Sequence, residues 1–172
     1  LIVRDDMKSV FHAINAVILT SGTIWGFSLW KDLPDRIPVH FGFNGMPDRW
    51  TGKGWELAIL ILMPLIMTAL LYSLTALSRR YTWMLNVPDK DKLLALPPAR
   101  QEPFWDTLWE FMAGLAGTIS LLFFSIVYSM AQVARGMQAG LSWMFLAAMG
   151  LMFLCIIVYI VRLRRAVKEC LG

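Results

Sequence analysis

LPDRIPVHFGFNGMPDRWTGK, residues 33–53, is the best-patterned polar stretch of the chain, and it lies between two apolar runs of membrane length. Pro34, Pro38 and Pro47 restrict its backbone, Asn44-Gly45 marks a turn, and Asp35, His40, Asp48, Arg49 and Trp50 crowd polar and aromatic groups together. A loop that only returned the chain across a bilayer would need no more than a few solvated Gly and Ser. The stretch therefore reads as a structured cap, residues 31–55 with its flanks, held by a membrane scaffold.

Within the cap, Ile37, Val39, Phe41 and Phe43 alternate with Pro38, His40, Gly42 and Asn44, a period of two that predicts an extended segment with one apolar face. Asn44-Gly45 predicts a two-residue type I′ turn, in which both central residues need positive φ. The return arm is residues 46–50, kept short or at an edge by Pro47, which cannot donate to a ladder. This register pairs Phe43 with Met46, Phe41 with Asp48 and His40 with Arg49. It puts His40 and Asp48 on opposite faces, which argues against a two-residue metal site.

A metal reading would use His40 with Asp35 or Asp48, since imidazole and carboxylate both suit zinc-like ions. No spacing resembles a ligand box, so structural roles are favoured: aspartates capping turns, and His40 bonding a nearby carbonyl or carboxylate. No Ser-His-Asp, paired-glutamate or phosphate-loop constellation is present in the sequence, so neither catalysis nor a cofactor is expected.

Outward from the cap the chain is a membrane protein by composition. Of its 172 residues 58% are hydrophobic, above the ~45–50% of soluble domains, and the mean hydropathy is +0.58. The net charge of +4 comes from basic residues beside apolar runs rather than along one amphipathic face, which fits membrane topology and not nucleic acid. Cys155 and Cys170 supply neither a disulfide framework nor a metal knuckle. The first apolar run is too long for a cleavable signal and lacks a small-residue cleavage site. The chain opens on Leu1 rather than Met, which fits upstream residues that are either missing from it or processed away.

Four spans follow, at residues 10–30, 57–77, about 108–131 and 141–161, each long enough as a helix for a hydrocarbon core of ~30 Å. The expected fold is all-α, one domain over 1–172. It has four transmembrane helices and a structured extracytoplasmic loop, with a short β-hairpin, between helices one and two. Span one carries Gly22 and Gly26 as G-x-x-x-G, either a homodimer seam or, the favoured reading, close packing on another span. His12 near its far end reads as a satisfied interfacial histidine rather than a proton relay. Pro64 inside span two should kink it and free a carbonyl. Ala113, Gly117 and Ser120 form a close-packing stripe on span three. Asp106 and Glu110 are expected near a helix N-terminus, where the dipole accounts for them.

Residues 78–106 hold five positive charges and read as a cytoplasmic loop, either a solvated connector or a surface helix at 89–96 stopped by Pro97-Pro98. Residues 1–9, with Arg4, Asp5, Asp6 and Lys8, read as a short cytoplasmic lead-in, and Arg162, Arg164, Arg165 and Lys168 as a stop-transfer cluster. The N-terminus, second loop and C-terminus together carry eleven Lys and Arg against five on the other two loops. Both termini are therefore expected in the cytoplasm and the cap outside. Trp25, Trp30, Trp50, Trp55 and Trp143 then fall near the outer interface, and Trp83, Trp105 and Trp109 near the inner one.

Leu33-Pro34, Ile37-Pro38, His40-Phe41, Gly45, Pro47-Asp48, Trp50 and Lys53 form a series that resembles the LP-x-x-IP-x-HF…G-x-PD-x-aromatic…K signature of the membrane domain found in SdpI-type bacterial proteins. The resemblance extends over residues 10–77. It implies a multi-pass protein of the bacterial cytoplasmic membrane. It also implies a role like that of an immunity protein, which protects a toxin-producing cell from its own secreted peptide and takes part in sensing it. Arg36, Arg49 and Lys53 amid aromatics suggest a surface for an amphipathic or anionic peptide or protein partner. The alternative is an accessory subunit of a larger membrane assembly, as a homo-oligomer or with other chains.

Overall fold

The computed structural model describes residues 2–172, with side chains from Ser9 onward, so the side chains of Arg4, Asp5, Asp6 and Lys8 lie outside the described residues. Four helices are long and apolar enough to cross a membrane: α1 (Ile2–Ser28), α2 (Trp55–Arg80), α4 (Pro98–Ala134) and α5 (Trp143–Leu171). A two-stranded antiparallel hairpin, β1 (Arg36–Phe41) and β2 (Pro47–Gly52), stands between α1 and α2. A one-turn helix, α3 (Lys90–Leu94), lies between α2 and α4. The protein is thus a multi-pass membrane protein with a small sheet at one end of its helices.

α4 is the hub, packing against α1, α2, α5 and β1. Small side chains let its neighbours approach closely, as lipid-embedded helices require, because tails as apolar as leucine give no hydrophobic drive to association. Ala113, Gly117 and Ser120 all lie on its packed face. A Cβ on Gly117 would stand 2.6 Å from Asn15 Oδ1 of α1, and Asn15 Nδ2 donates to the Ala113 carbonyl at 2.8 Å. The two glycines of α1 face partners inside the chain. A Cβ on Gly22 would collide with the Phe124 ring of α4, and one on Gly26 would lie 2.9 Å from Ile61 of α2. Pro64 is fully buried and α2 runs on through it.

α4 begins ten residues before the apolar run. Proline cannot continue a helix at its interior but suits the first position, whose N–H has no partner anyway, and Pro98 takes that place. Glu110 and Asp106 are consequently not near the helix N-terminus as the sequence suggests. Glu110 sits over three turns in, 2% exposed, and its charge is met by Arg162 Nη2 of α5, 2.6 Å from Oε2. That contact is an ion pair without an aligned N–H bond. Arg162 also lies over the Tyr159 ring, 4.9 Å from its centroid.

Nor is the second hydrophilic segment a solvated connector. Leu85 and Leu93 are buried against Phe104, Trp105, Leu108, Val167 and Cys170, closing the end of the α4–α5 pair. Trp105 is buried in this core, with Arg79 stacked 5.3 Å from its ring centroid and paired with Glu102 at 2.5 Å. Asp89 adopts a left-handed conformation, φ 52°, and pairs with Lys92 at 2.8 Å, which pushes the lysine pKa up.

Candidate functional site

The hairpin end is built from three anchors. First, α1 finishes in a 3₁₀ turn, Leu29–Lys31, that leaves carbonyls without helical partners. Lys53 supplies a partner to one of them and to a carbonyl just beyond the turn: its Nζ donates to the Trp30 and Leu33 carbonyls, each at 2.9 Å. Its backbone N–H donates to the Asp35 carbonyl at 2.8 Å. Lys53 therefore closes the loop onto itself, and its charge serves those carbonyls rather than an outside ligand. A charged hydrogen bond contributes about 1.5–3 kcal/mol, so Lys53→Met is expected to lower stability by that order, read as the midpoint of unfolding in detergent, with Lys53→Arg recovering part of it.

Second, the apolar face of β1 plugs the end of the bundle. Ile37 is 0% exposed, in one cluster with Leu33, Leu57, Ile61, Val127 and Met130, and Val39 and Phe41 pack against it. Pro38 is buried beside Ile37. Phe43, the last residue of the alternating series, leaves this face and stands fully exposed at the tip.

Third, the tip is stapled to the α4–α5 loop. The Leu141 N–H donates to the Gly45 carbonyl at 2.8 Å, and Gly140 approaches that carbonyl so closely that a Cβ there would collide with it. The Gln138 amide donates to the Gly140 carbonyl, and the loop is closed beneath by Ser129 Oγ, which accepts the Ser142 N–H at 3.0 Å.

The turn differs from the two-residue I′ form read from Asn44-Gly45. Only Gly45 has positive φ, +75°. The Gly42 N–H donates to the Met46 carbonyl at 2.8 Å and the Gly45 N–H to the Gly42 carbonyl at 2.9 Å. This is a three-residue loop, Phe43 to Gly45, ending in a left-handed glycine. Asn44 Oδ1 accepts the Met46 N–H at 3.0 Å and holds the turn.

The extra loop residue changes the register. His40 still faces Arg49, but Phe41 pairs with Pro47, and both Val39 and Asp48 are bulged out of the ladder. A bulge re-aims side chains, and here it reverses one expectation: His40 and Asp48 are on the same side, Nδ1 to Oδ1 2.6 Å. Among the described residues no three His, Cys, Asp or Glu side chains gather where an ion could be held.

Between β2 and α2 lies a cleft of about 480 Å³, with Arg49, Trp50, Trp55 and Glu56 at its rim and Leu60 and Met63 among its apolar walls. Arg36 stacks on the other residue of note here, 5.8 Å from the Trp50 ring centroid. Trp55, Met46, Met137 and Trp143 leave apolar surface exposed around the hairpin. Chemically the end offers aromatic and thioether surface with charges of both signs, a surface for binding. Asp35 adds its carbonyl, Pro34 a rigid step into β1.

Two elements were missed in sequence. Gly140-Leu141 looks like an ordinary turn and has no local signal of the staple. The Glu110–Arg162 pair did carry one, a carboxylate at the start of an apolar run and an arginine at the end of another. At a similar depth His12 Nδ1 lies 2.9 Å from Tyr72 Oη, and the two rings make edge contacts with Trp109.

These features define a four-helix membrane protein with a hairpin stapled across one end. A family model described as a domain of unknown function (DUF1648) matches residues 17–68, which take in most of the membrane part of α1, the whole hairpin and the first half of α2. No curated protein and no solved structure matches the chain.

Proposed function

We propose that this is a small, non-catalytic SdpI-type protein of the bacterial cytoplasmic membrane, its termini cytoplasmic and its hairpin outside, that binds a peptide or protein partner at the hairpin end. The observation that supports it is a contrast within one element. The inner face of the hairpin is fixed by Ile37, Lys53 and Gly45, while Phe43, Met46 and Trp55 stay exposed beside the Arg49–Glu56 cleft. A rigid, exposed aromatic binds at low entropic cost, because little is left to order on contact.

Expression in a strain sensitive to a secreted toxin peptide tests the reading. Protection is expected, falling at least tenfold in tolerated toxin with Phe43→Asp or Arg49→Glu at unchanged protein level. Absence of protection, together with a native mass showing the chain bound into a larger complex, would favour the accessory-subunit reading instead.

A further inference from the structure

α1 and α5 both pack on α4, and between them runs a groove whose floor includes Gly114, Gly117 and Thr118, with Asn15 of α1 and Cys155 of α5 close over the two glycines. The groove there has about 360 Å³, walled by Ile14 and Ile18 on one side and Leu154 and Val158 on the other. A second hollow of about 450 Å³ shares Leu121 and Leu151 with it and continues toward Trp25 and Trp143 at the hairpin end. Each volume is within the range of small-molecule sites, about 300–1,000 Å³. From Trp143 to Tyr159 the helix rises by roughly 24 Å, the length scale of a lipid chain rather than of a compact ligand.

The two ends of this channel differ in charge. Leu151, Leu154, Val158, Arg162 and Arg165 recur at three- and four-residue spacing, so the apolar wall of α5 runs directly into arginines at the end away from the hairpin. Arg162 reaches over Tyr159, itself a lining residue. Its guanidinium has five N–H donors, more than the single Glu110 oxygen at 2.6 Å can take. Arg164, Arg165 and Lys168 are exposed on the following turns, a local excess of positive charge over Glu169.

We propose that this groove holds one anionic phospholipid of the leaflet opposite the hairpin, an acyl chain between Ile14 and Ile18 of α1 and Leu154 and Val158 of α5 and its phosphate at Arg162 and Arg165. An acyl chain gains little on leaving other chains for an apolar groove. Selectivity must therefore come from the headgroup, and each cation near the membrane surface favours an anionic lipid by about fivefold.

Native mass spectrometry of the detergent-solubilised full chain, titrated with chain-matched phosphatidylglycerol or phosphatidylcholine, reads this directly. One phosphatidylglycerol is expected to be retained at least fivefold better than phosphatidylcholine. Arg165→Gln should weaken that retention about fivefold, and Leu154→Trp, which fills the groove from an exposed position, should abolish the preference. Equal retention of the two lipids, phosphatidylglycerol retention left unchanged by either variant, or a dimer that Leu154→Trp dissociates with no lipid preference, would each overturn the proposal.

Discussion

Replacing Arg162 with leucine is expected to cost about 3–5 kcal/mol of stability, because it leaves a buried carboxylate with no counter-charge. Glu110 is 2% exposed, whereas the Arg162 side chain is 37% exposed, so the two halves of the pair are not equivalent. Removing the carboxylate instead, as Glu110→Gln, leaves a cation that can turn to water or headgroups and should cost much less. The double variant should resemble Glu110→Gln alone, a coupling that a double-mutant cycle in mixed micelles measures. Equal losses from the two single variants would mean that the pair is a surface contact and that Glu110 reaches solvent.

Ile37→Asp is expected to have the largest effect at the hairpin. Truncating a fully buried isoleucine already costs about 2–5 kcal/mol, and the aspartate adds a charge without a partner in the cluster of Leu57, Ile61, Val127 and Met130. The hairpin should leave the bundle, and residues 36–52 should become the first site of proteolysis in nanodiscs. Phe43→Asp, on the same alternating series but at the exposed tip, should stay within about 0.5 kcal/mol of the parent protein and resist cleavage. The pair separates anchoring in β1 from exposure at the loop that follows it.

Much of this architecture was legible because each part rests on a local rule. Apolar length gave four helices, and the period-two series with Asn44-Gly45 gave the hairpin between the first two. What escaped were features fixed by one residue more or less, or by contacts distant in sequence. Asn-Gly suits both two- and three-residue loops, and the choice between them shifts Asp48 across the sheet onto His40. Pro97-Pro98 reads equally as a stop or a start, and taking it as a stop placed Glu110 at a helix end instead of inside the bundle. Lys53 looked like a ligand-facing cation because its acceptors, the carbonyls of Trp30 and Leu33, lie some twenty residues back in the chain. The staple from Leu141 to Gly45 joins loops almost a hundred residues apart, beyond any periodic signal.

Amide hydrogen exchange in lipid nanodiscs tests most directly whether the hairpin is one body with the helices. The Gly42, Lys53 and Leu141 N–H groups donate to the Met46, Asp35 and Gly45 carbonyls respectively. If the hairpin is stapled in place, all three should exchange slowly and lose protection together, at the same denaturant concentration as the Val127–Ala131 turn of α4 beneath them. Exchange of these three amides at the rate of an open loop, while α4 stays protected, would contradict it.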